Sequence, residues 1–121
     1  MQKTILFVDD SASIRELVKL SLLKAGFQVL LAVDGIDALK ILDGRKIHLV
    51  ITDLHMPNMN GLQLIGEIRK QDSYAFIPIL FLTTETNYEL KQEAKKSGAT
   101  GWITKPFNQD KFLLVIKKVL R

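Results

Sequence analysis

Residues 49–69 read LVITDLHMPNMNGLQLIGEIR, and this stretch contains the unit from which the fold can be predicted. The apolar run Leu49–Thr52 is short and rich in β-branched residues, which is typical of a strand that is buried on both faces. Beyond a loop, Leu62, Ile65 and Ile68 recur with the spacing of one helix face. The stretch therefore predicts a strand, a loop and a helix.

The same alternation extends in both directions along the chain. The runs predicted as strands are Ile5–Val8, Val29–Val33, Leu49–Thr52, Ile79–Leu82 and Trp102–Thr104. Helices are predicted to begin near Ser13, Gly35, Gly61 and Thr86 and just after Asn108. Strict alternation of strands and helices predicts a parallel sheet with helices on both faces, a doubly wound (βα)5 three-layer α/β sandwich.

The ends of the helices are predicted from capping residues and glycines. Two capping boxes, Ser13 with Glu16 and Thr86 with Glu89, predict the N-caps of the first and fourth helices, and Gly26 and Gly98 predict their C-terminal ends. Apolar residues predicted to face the sheet include Leu17, Val18, Leu22, Ile36, Leu39, Phe112, Val115 and Ile116.

Composition excludes several classes of protein. The chain has 121 residues, 47% of them hydrophobic and 25% charged, which fits one globular domain. It has no cysteine, which excludes disulfides, thiolate catalysis, iron–sulfur clusters and cysteine-based zinc sites. The apolar runs are too short to cross a bilayer, and the first of them stops at Asp9, so we expect a cytoplasmic protein without membrane insertion.

Charge is distributed unevenly along the chain. Residues 1–85 contain 9 Lys/Arg and 10 Asp/Glu, whereas residues 86–121 contain 8 and 3. The basic residues of the second segment are Lys91, Lys95, Lys96, Lys105, Lys111, Lys117, Lys118 and Arg121. A solvated lysine face explains any one of them, and a surface for an acidic protein segment or for nucleic acid is the alternative. Because arginine is scarce there, a protein partner is favoured over nucleic acid.

Chemically active side chains follow four of the five predicted strands. The residues at these strand ends are Asp9-Asp10, Asp53, Thr83-Thr84 and Lys105-Pro106, whereas the second strand ends at Val33-Asp34 without a distinctive group. Polar residues are common wherever a strand leads into a loop, and this tendency alone would explain a polar residue at one strand end. It explains less well why such residues follow four of the five strands. In open α/β sheets, ligands bind outside the carboxyl ends of the strands, so these side chains are candidates for one site.

The residue types restrict what such a site could do. Two unit charges about 4 Å apart repel by about 4 kcal/mol at an effective dielectric constant near 20, so three close carboxylates need a cation. Oxygen ligands suit Mg²⁺ (or Mn²⁺), while Lys105 and Thr83 offer an ammonium group and a hydroxyl. This set would surround phosphoryl oxygens, and one carboxylate could act as the nucleophile.

Four motifs resemble those of the response-regulator receiver domain, and most closely those of the stand-alone chemotaxis regulators of the CheY type. They are VDDS (residues 8–11), TDLHMPNMNG (52–61), FLTTE (81–85) and GWITKPF (101–107). The resemblance covers essentially the whole chain. It implies the strand order 2-1-3-4-5 and a single receiver domain over residues 1–121 without an output domain.

The resemblance also implies a role for particular residues. Asp53 would be the phosphoacceptor. Asp10, Asp53 and the main-chain carbonyl of His55 would ligate Mg²⁺, and Asp9 would act mainly through a metal-bound water. Lys105 would pair with the phosphoryl group.

Further roles concern the switch and the lifetime of the phosphoryl group. Thr83 would move to bind a phosphoryl oxygen, and Trp102 would be the switch aromatic, where the family more often has Tyr or Phe. The bond before Pro106 would be cis. The identities of His55 and Glu85 would set the rate of dephosphorylation.

The function implied is that of a response regulator in two-component signalling. A histidine kinase would phosphorylate Asp53, and a monomeric chain would change its affinity for a protein target through the fourth helix, fifth strand and fifth helix, in a chemotaxis pathway. A phosphorelay shuttle to another histidine protein is the alternative. A phosphate-ester hydrolase would need a cap for which the chain has no room, so no enzymatic turnover beyond slow self-dephosphorylation is expected. A pseudo-receiver would lack acidic residues that are present.

Overall fold

Five parallel strands form the centre of the fold in a computed structural model that describes residues 2–120. The strands are β1 (Thr4–Val8), β2 (Gln28–Ala32), β3 (Leu49–Thr52), β4 (Ile79–Thr83) and β5 (Gly101–Thr104). The helices are α1 (Ala12–Lys24), α2 (Gly35–Ile41), α3 (Gly61–Arg69), α4 (Tyr88–Lys96) and α5 (Gln109–Val119), and a short 3₁₀ helix covers Asp72–Tyr74. Arg121, which belongs to the basic segment of the sequence, lies outside the described residues.

The strand order is β2-β1-β3-β4-β5, so the predicted topology is confirmed. Val8 pairs with Thr52 and Thr52 pairs with Phe81, so the carboxyl ends of β1, β3 and β4 meet at one edge of the sheet. Thr83 pairs with Thr104, which brings the end of β5 to the same edge. The register therefore brings together the residues that follow these four strands.

Helices cover both faces of the sheet, as predicted. Alternate residues of β1 point to opposite faces, so Leu6 packs with helices α2, α3 and α4 while Phe7 packs with α1 and α5. All residues of β3 and β4 are buried, which explains why their sequences are continuously apolar up to the last residue. The edge strands β2 and β5 are more exposed.

The two predicted capping boxes are wrong. The N-cap of α1 is Ser11, whose hydroxyl accepts a hydrogen bond from the Ile14 amide, because Asp9 binds the Ser11 amide at 2.9 Å and holds Ser11 in an extended conformation. The N-cap of α4 is Asn87, which accepts from Leu90. Glu85 accepts hydrogen bonds from the amides of Thr86 and Asn87, so the helix begins only at Tyr88.

Three residues predicted to face the sheet are instead partly exposed to solvent: Leu17 (45%), Ile36 (45%) and Val115 (36%). Leu17 and Val115 each lie beside a fully buried neighbour, Val18 and Ile116, at the margin of the buried stripe.

Within residues 2–120, no helix is long and apolar enough to cross a membrane.

Candidate functional site

Three carboxylates meet at the carboxyl edge of the sheet. Asp9 and Asp10 follow β1 and Asp53 follows the neighbouring strand β3, and one carboxylate oxygen from each lies within 4.8 Å of the others. Asp9 is completely buried, Asp53 is half-buried and Asp10 is exposed, so the cluster extends from the interior to the surface. The predicted acidic cluster is therefore assembled by the fold.

Lys105 extends from the end of β5 into this cluster. Its Nζ donates to Asp9 Oδ2 at 2.7 Å and to Asp53 Oδ2 at 3.2 Å. Burial by itself would lower the pKa of Lys105, but the hydrogen bond and charge of Asp9, followed by those of Asp53, raise the pKa above its ordinary value. Lys105 is therefore a cation at neutral pH, and it bridges the two carboxylates.

The donor set fits a divalent cation. One ammonium group compensates one of three carboxylate charges, which leaves an excess of two negative charges when all three are ionised. The atoms that the three aspartates offer as metal ligands are all carboxylate oxygens, which suit a hard cation such as Mg²⁺. Asp9, Asp10 and Asp53 are thus the side chains that could hold such an ion.

The main chain fixes the orientation of Asp53. The Asp53 amide donates to the carbonyl of Val8 at 2.9 Å, and the Leu54 amide donates to Asp53 Oδ1 at 2.7 Å, which leaves Oδ2 directed to Lys105. Gly61 lies directly against this segment, because a Cβ atom there would be 2.5 Å from the Asp53 carbonyl oxygen. A side chain at position 61 would displace the acidic residue.

Thr83 is completely buried at the end of β4, and its hydroxyl accepts a hydrogen bond from the Glu85 amide at 3.2 Å. Its main-chain carbonyl accepts from the Lys105 amide at 2.8 Å, so the ends of β4 and β5 are joined beside the acidic cluster. The peptide bond between Lys105 and Pro106 is cis.

A hydrogen bond joins the loops that follow β3 and β4. His55 Nε2 lies 2.8 Å from Glu85 Oε1, while Glu85 Oε2 accepts from the amides of Thr86 and Asn87. These contacts lower the pKa of Glu85, with the His55 hydrogen bond as the largest cause. The two residues expected to influence dephosphorylation are therefore in contact.

Trp102 lies on β5, three residues before Lys105 in the chain. Its ring centroid is 5.6 Å from that of Phe81, and Lys91 Nζ lies 5.5 Å from the indole centroid. The indole Nε1 is buried and has no hydrogen-bond acceptor among the described residues. Trp102 lines a cleft of about 250 Å³ between α4 and β5, to which Lys91 and Lys95 also contribute.

Two residues near the site were missed by the sequence analysis. Asp34, which follows the apparently featureless end of β2, accepts a hydrogen bond from Asn58 Nδ2 at 2.8 Å. Asn58 belongs to the loop between Asp53 and α3. An aspartate directly before a glycine and a helix signals an N-cap, but no pattern in the sequence indicates the contact with a loop 24 residues away.

Comparison with known protein families agrees with this geometry. A model described as "Response regulator receiver domain" matches residues 5–117. The chain is similar to chemotaxis protein CheY1 of Helicobacter pylori, with 38% identity over 105 residues that cover 85% of each chain. It is also similar to histidine kinase P4 of Formosa agariphila, with 37% identity over 98% of this chain but only 9% of that protein's length.

Among solved structures, the fold is similar to that of Vibrio cholerae chemotaxis protein CheY4. The TM-score is 0.95 and the identity is 44%, and the match covers 99% of this chain and 100% of the other.

Proposed function

Because the chain belongs to the response regulator receiver domain family, we propose that it is a phosphorylation switch in which Asp53 accepts a phosphoryl group from a histidine kinase. The observation that supports this proposal most directly is the bridge from Lys105 to Asp9 and Asp53 within the acidic cluster. The main chain orients the Asp53 carboxylate, and the Lys105 ammonium group faces its Oδ2 atom.

In the proposed reaction, an Asp53 carboxylate oxygen forms a new bond to phosphorus while the bond between phosphorus and the donor imidazole nitrogen breaks. Lys105 pairs with the transferred phosphoryl oxygens and offsets their negative charge. Asp9, Asp10, Asp53 and the carbonyl of His55 would hold Mg²⁺, which supplies further neutralisation of charge when bound. The chain's own contribution is the position of the nucleophile and the ammonium group.

The response to phosphorylation is proposed to involve Thr83 and Trp102. Thr83 would exchange its contact with the Glu85 amide for a phosphoryl oxygen, which would alter the loop that leads into α4. A target can respond to phosphorylation only if it binds the phosphorylated and the unphosphorylated chain with different affinity. The proposed target surface is formed by α4, β5 and α5, where exposed lysines at 95, 96, 111, 117 and 118 favour an acidic or amphipathic protein segment.

The His55–Glu85 contact is proposed to influence the lifetime of the phosphoryl group. It joins the loops that follow Asp53 and Thr83, and hydrolysis requires water to reach the phosphorus beside them. Turnover would be limited to this slow self-dephosphorylation.

A role in chemotaxis is proposed on the likeness to the chemotaxis proteins CheY1 and CheY4. A cytoplasmic, monomeric regulator is part of the same proposal. The alternative is a phosphorelay shuttle. Transfer from the phosphorylated chain to an isolated histidine phosphotransfer domain would favour the shuttle, and phosphorylation-dependent binding to a motor protein would favour chemotaxis.

The proposed chemistry is tested by intact-mass spectrometry after incubation with acetyl phosphate, with and without Mg²⁺. We expect a Mg²⁺-dependent phosphoryl adduct on the wild type and no adduct on Asp53→Asn. Asp43→Asn is the matched control, because Asp43 is exposed and pairs with Arg45 outside the site. Transfer from a cognate kinase provides a second donor, and no adduct from either donor would contradict the proposal.

A further inference from the structure

Asp34 connects two elements that border the candidate site. The residue is only 9% exposed, and its two carboxylate oxygens have different partners. Oδ1 accepts from the Asp37 amide at 2.8 Å and so caps α2, while Oδ2 accepts from Asn58 Nδ2 at 2.8 Å. The Asp37 amide, followed by the Asn58 side chain, lowers the pKa of Asp34, so the carboxylate is ionised at neutral pH.

Asn58 has an unusual backbone conformation. Its φ is +68°, a left-handed value that no other non-glycine residue adopts among residues 2–120. Such a conformation persists when surrounding contacts hold it. The contact from Asn58 to Asp34 is one of these, and the Met59 side chain packs so tightly on Gly35 that a Cβ atom there would lie 2.7 Å from Met59 Cγ.

These contacts fix the middle of the loop that carries the site's main-chain carbonyl. The loop between β3 and α3 begins at Asp53. One end of it is fixed at Leu54, whose carbonyl accepts a hydrogen bond from the Gly61 amide at 2.8 Å. His55 lies between that fixed end and Asn58. The path of the main chain at His55 therefore depends on both attachments.

We propose that Asp34 is a positioning residue that, through Asn58, holds the loop between β3 and α3 so that the His55 carbonyl can act as a ligand for Mg²⁺. This inference rests on the proposed function, because it assumes that the acidic cluster binds Mg²⁺. Asp34 also serves as a helix cap and carries a negative charge, so the test separates these three effects.

Three variants distinguish the effects. Asp34→Ser retains an N-capping hydroxyl on a side chain too short to reach Asn58. Asn58→Gly permits the left-handed backbone but removes the side-chain amide. Asp34→Asn removes the charge, yet its oxygen can cap α2 and its NH₂ group can donate to Asn58 once the Asn58 amide has flipped.

Mg²⁺ affinity is measured by isothermal titration calorimetry, with circular dichroism to verify that each variant is folded. We expect Asp34→Ser and Asn58→Gly to raise the Mg²⁺ dissociation constant about tenfold, the scale found for residues that orient metal ligands. We expect Asp34→Asn to stay within about twofold of the wild type. Asn108→Ser, the same type of cap exchange on α5, is the matched control and should leave the affinity unchanged.

Wild-type affinity in both Asp34→Ser and Asn58→Gly would overturn the proposal, since Asp34 would then be a helix cap only. Equal losses in Asp34→Asn and Asp34→Ser would also overturn it, because the effect would then come from charge. Hydrogen exchange without Mg²⁺ supplies an independent result. We expect faster exchange of the amides of residues 54–60, Pro57 excepted, in Asp34→Ser and Asn58→Gly, and unchanged exchange would refute the connection to the loop.

The failure of the proposed function can be recognised separately. A wild-type chain that bound no Mg²⁺ would contradict the Mg²⁺ site, whereas the exchange experiment on the metal-free chain would still decide whether Asp34 holds the loop.

Discussion

One ammonium group faces three carboxylates at the carboxyl edge of the sheet, and the three do not share it equally. Lys105 forms ion pairs with Asp9 and Asp53, whose side chains are 1% and 13% exposed. Asp10 is exposed and belongs to neither pair. Its charge therefore adds repulsion to the metal-free cluster without a compensating contact from Lys105.

We predict that Asp10→Asn stabilises the metal-free protein. At 4.8 Å or less and in a water-like dielectric, each carboxylate pair repels by about 1 kcal/mol. Asp10 forms two such pairs, and the positive charge of Lys105 in the same cluster offsets about one of them, so the free energy of unfolding should rise by about 1 kcal/mol. Urea unfolding in the presence of a chelator measures it. Added Mg²⁺ should stabilise the wild type more than the variant, because the variant has lost one of the proposed ligands.

The control for this prediction is Glu93→Gln, which removes an exposed carboxylate from α4 and should change stability by less than about 0.5 kcal/mol. A loss of stability in metal-free Asp10→Asn would show that Asp10 has a favourable contact in the folded state, and the repulsion argument would be wrong.

Among the secondary-structure elements, α3 is connected to two neighbours by its last residue. Arg69 Nη1 donates to the carbonyls of Tyr74, Ala75 and Ile77, and Nη2 donates to the carbonyl of Gly98 at 2.7 Å. The guanidinium group thus joins α3 to the segment before β4 and to the turn between α4 and β5. Burial lowers the pKa of Arg69 below its ordinary value, and the group remains charged at neutral pH.

We predict that Arg69→Met lowers the free energy of unfolding by about 3 kcal/mol, because it removes charge-assisted hydrogen bonds and leaves partly buried carbonyls without their donor. Urea unfolding followed by circular dichroism measures the loss. Lys70→Met is the matched control, because the neighbouring Lys70 is exposed and its side chain forms a surface ion pair with Glu67. Equal effects of the two substitutions would contradict the structural role of Arg69.

The elements differ in how well the sequence predicts them, for a physical reason. Every strand end was predicted to within one residue, because burial on both faces requires a continuous apolar run. Gly26 and Gly98 were predicted as helix ends, and both have positive φ. The caps at Ser11 and Asn87 were missed because Asp9 and Glu85 determine them, and capping patterns do not include such neighbours.

The same distinction applies to the site. The convergence of Asp9, Asp53 and Lys105 could be predicted, because parallel strands bring their carboxyl ends to one edge. The contacts between loops could not be predicted, because they join loop residues far apart in the chain, and no strand pairing sets the register of loop residues. Asp34 with Asn58 and His55 with Glu85 are both of this kind.

In the molecule as a whole, the two ends of the sheet have different tasks. The carboxyl end carries the acidic cluster, and the opposite end is closed by structural hydrogen bonds. There the Tyr74 hydroxyl donates to the Arg45 carbonyl at 2.6 Å, and His48 Nδ1 accepts from the Thr4 amide at 2.9 Å. His48 must leave Nδ1 unprotonated to accept this bond, so acid should weaken the end that lacks the acidic cluster.

Burial lowers the pKa of His48, and the charges of Lys46 and Lys3 lower it further, below the ordinary value of 6.5. As pH falls through this ordinary value, the unfolded chain binds a proton at His48 more readily than the folded chain does. The stability that depends on neutral His48 is therefore present above that pH and is lost below it.

We predict that His48→Gln loses less stability than the wild type between about pH 7.5 and about pH 5.5, because glutamine does not titrate and its oxygen can accept from Thr4. Urea unfolding at the two pH values measures the difference. Mg²⁺ affinity and phosphorylation of Asp53 at neutral pH should be unchanged, since His48 lies at the far end of the sheet. An identical loss of stability in both proteins would show that His48 does not contribute to the acid response, and a change in Mg²⁺ affinity would show that the two ends are coupled.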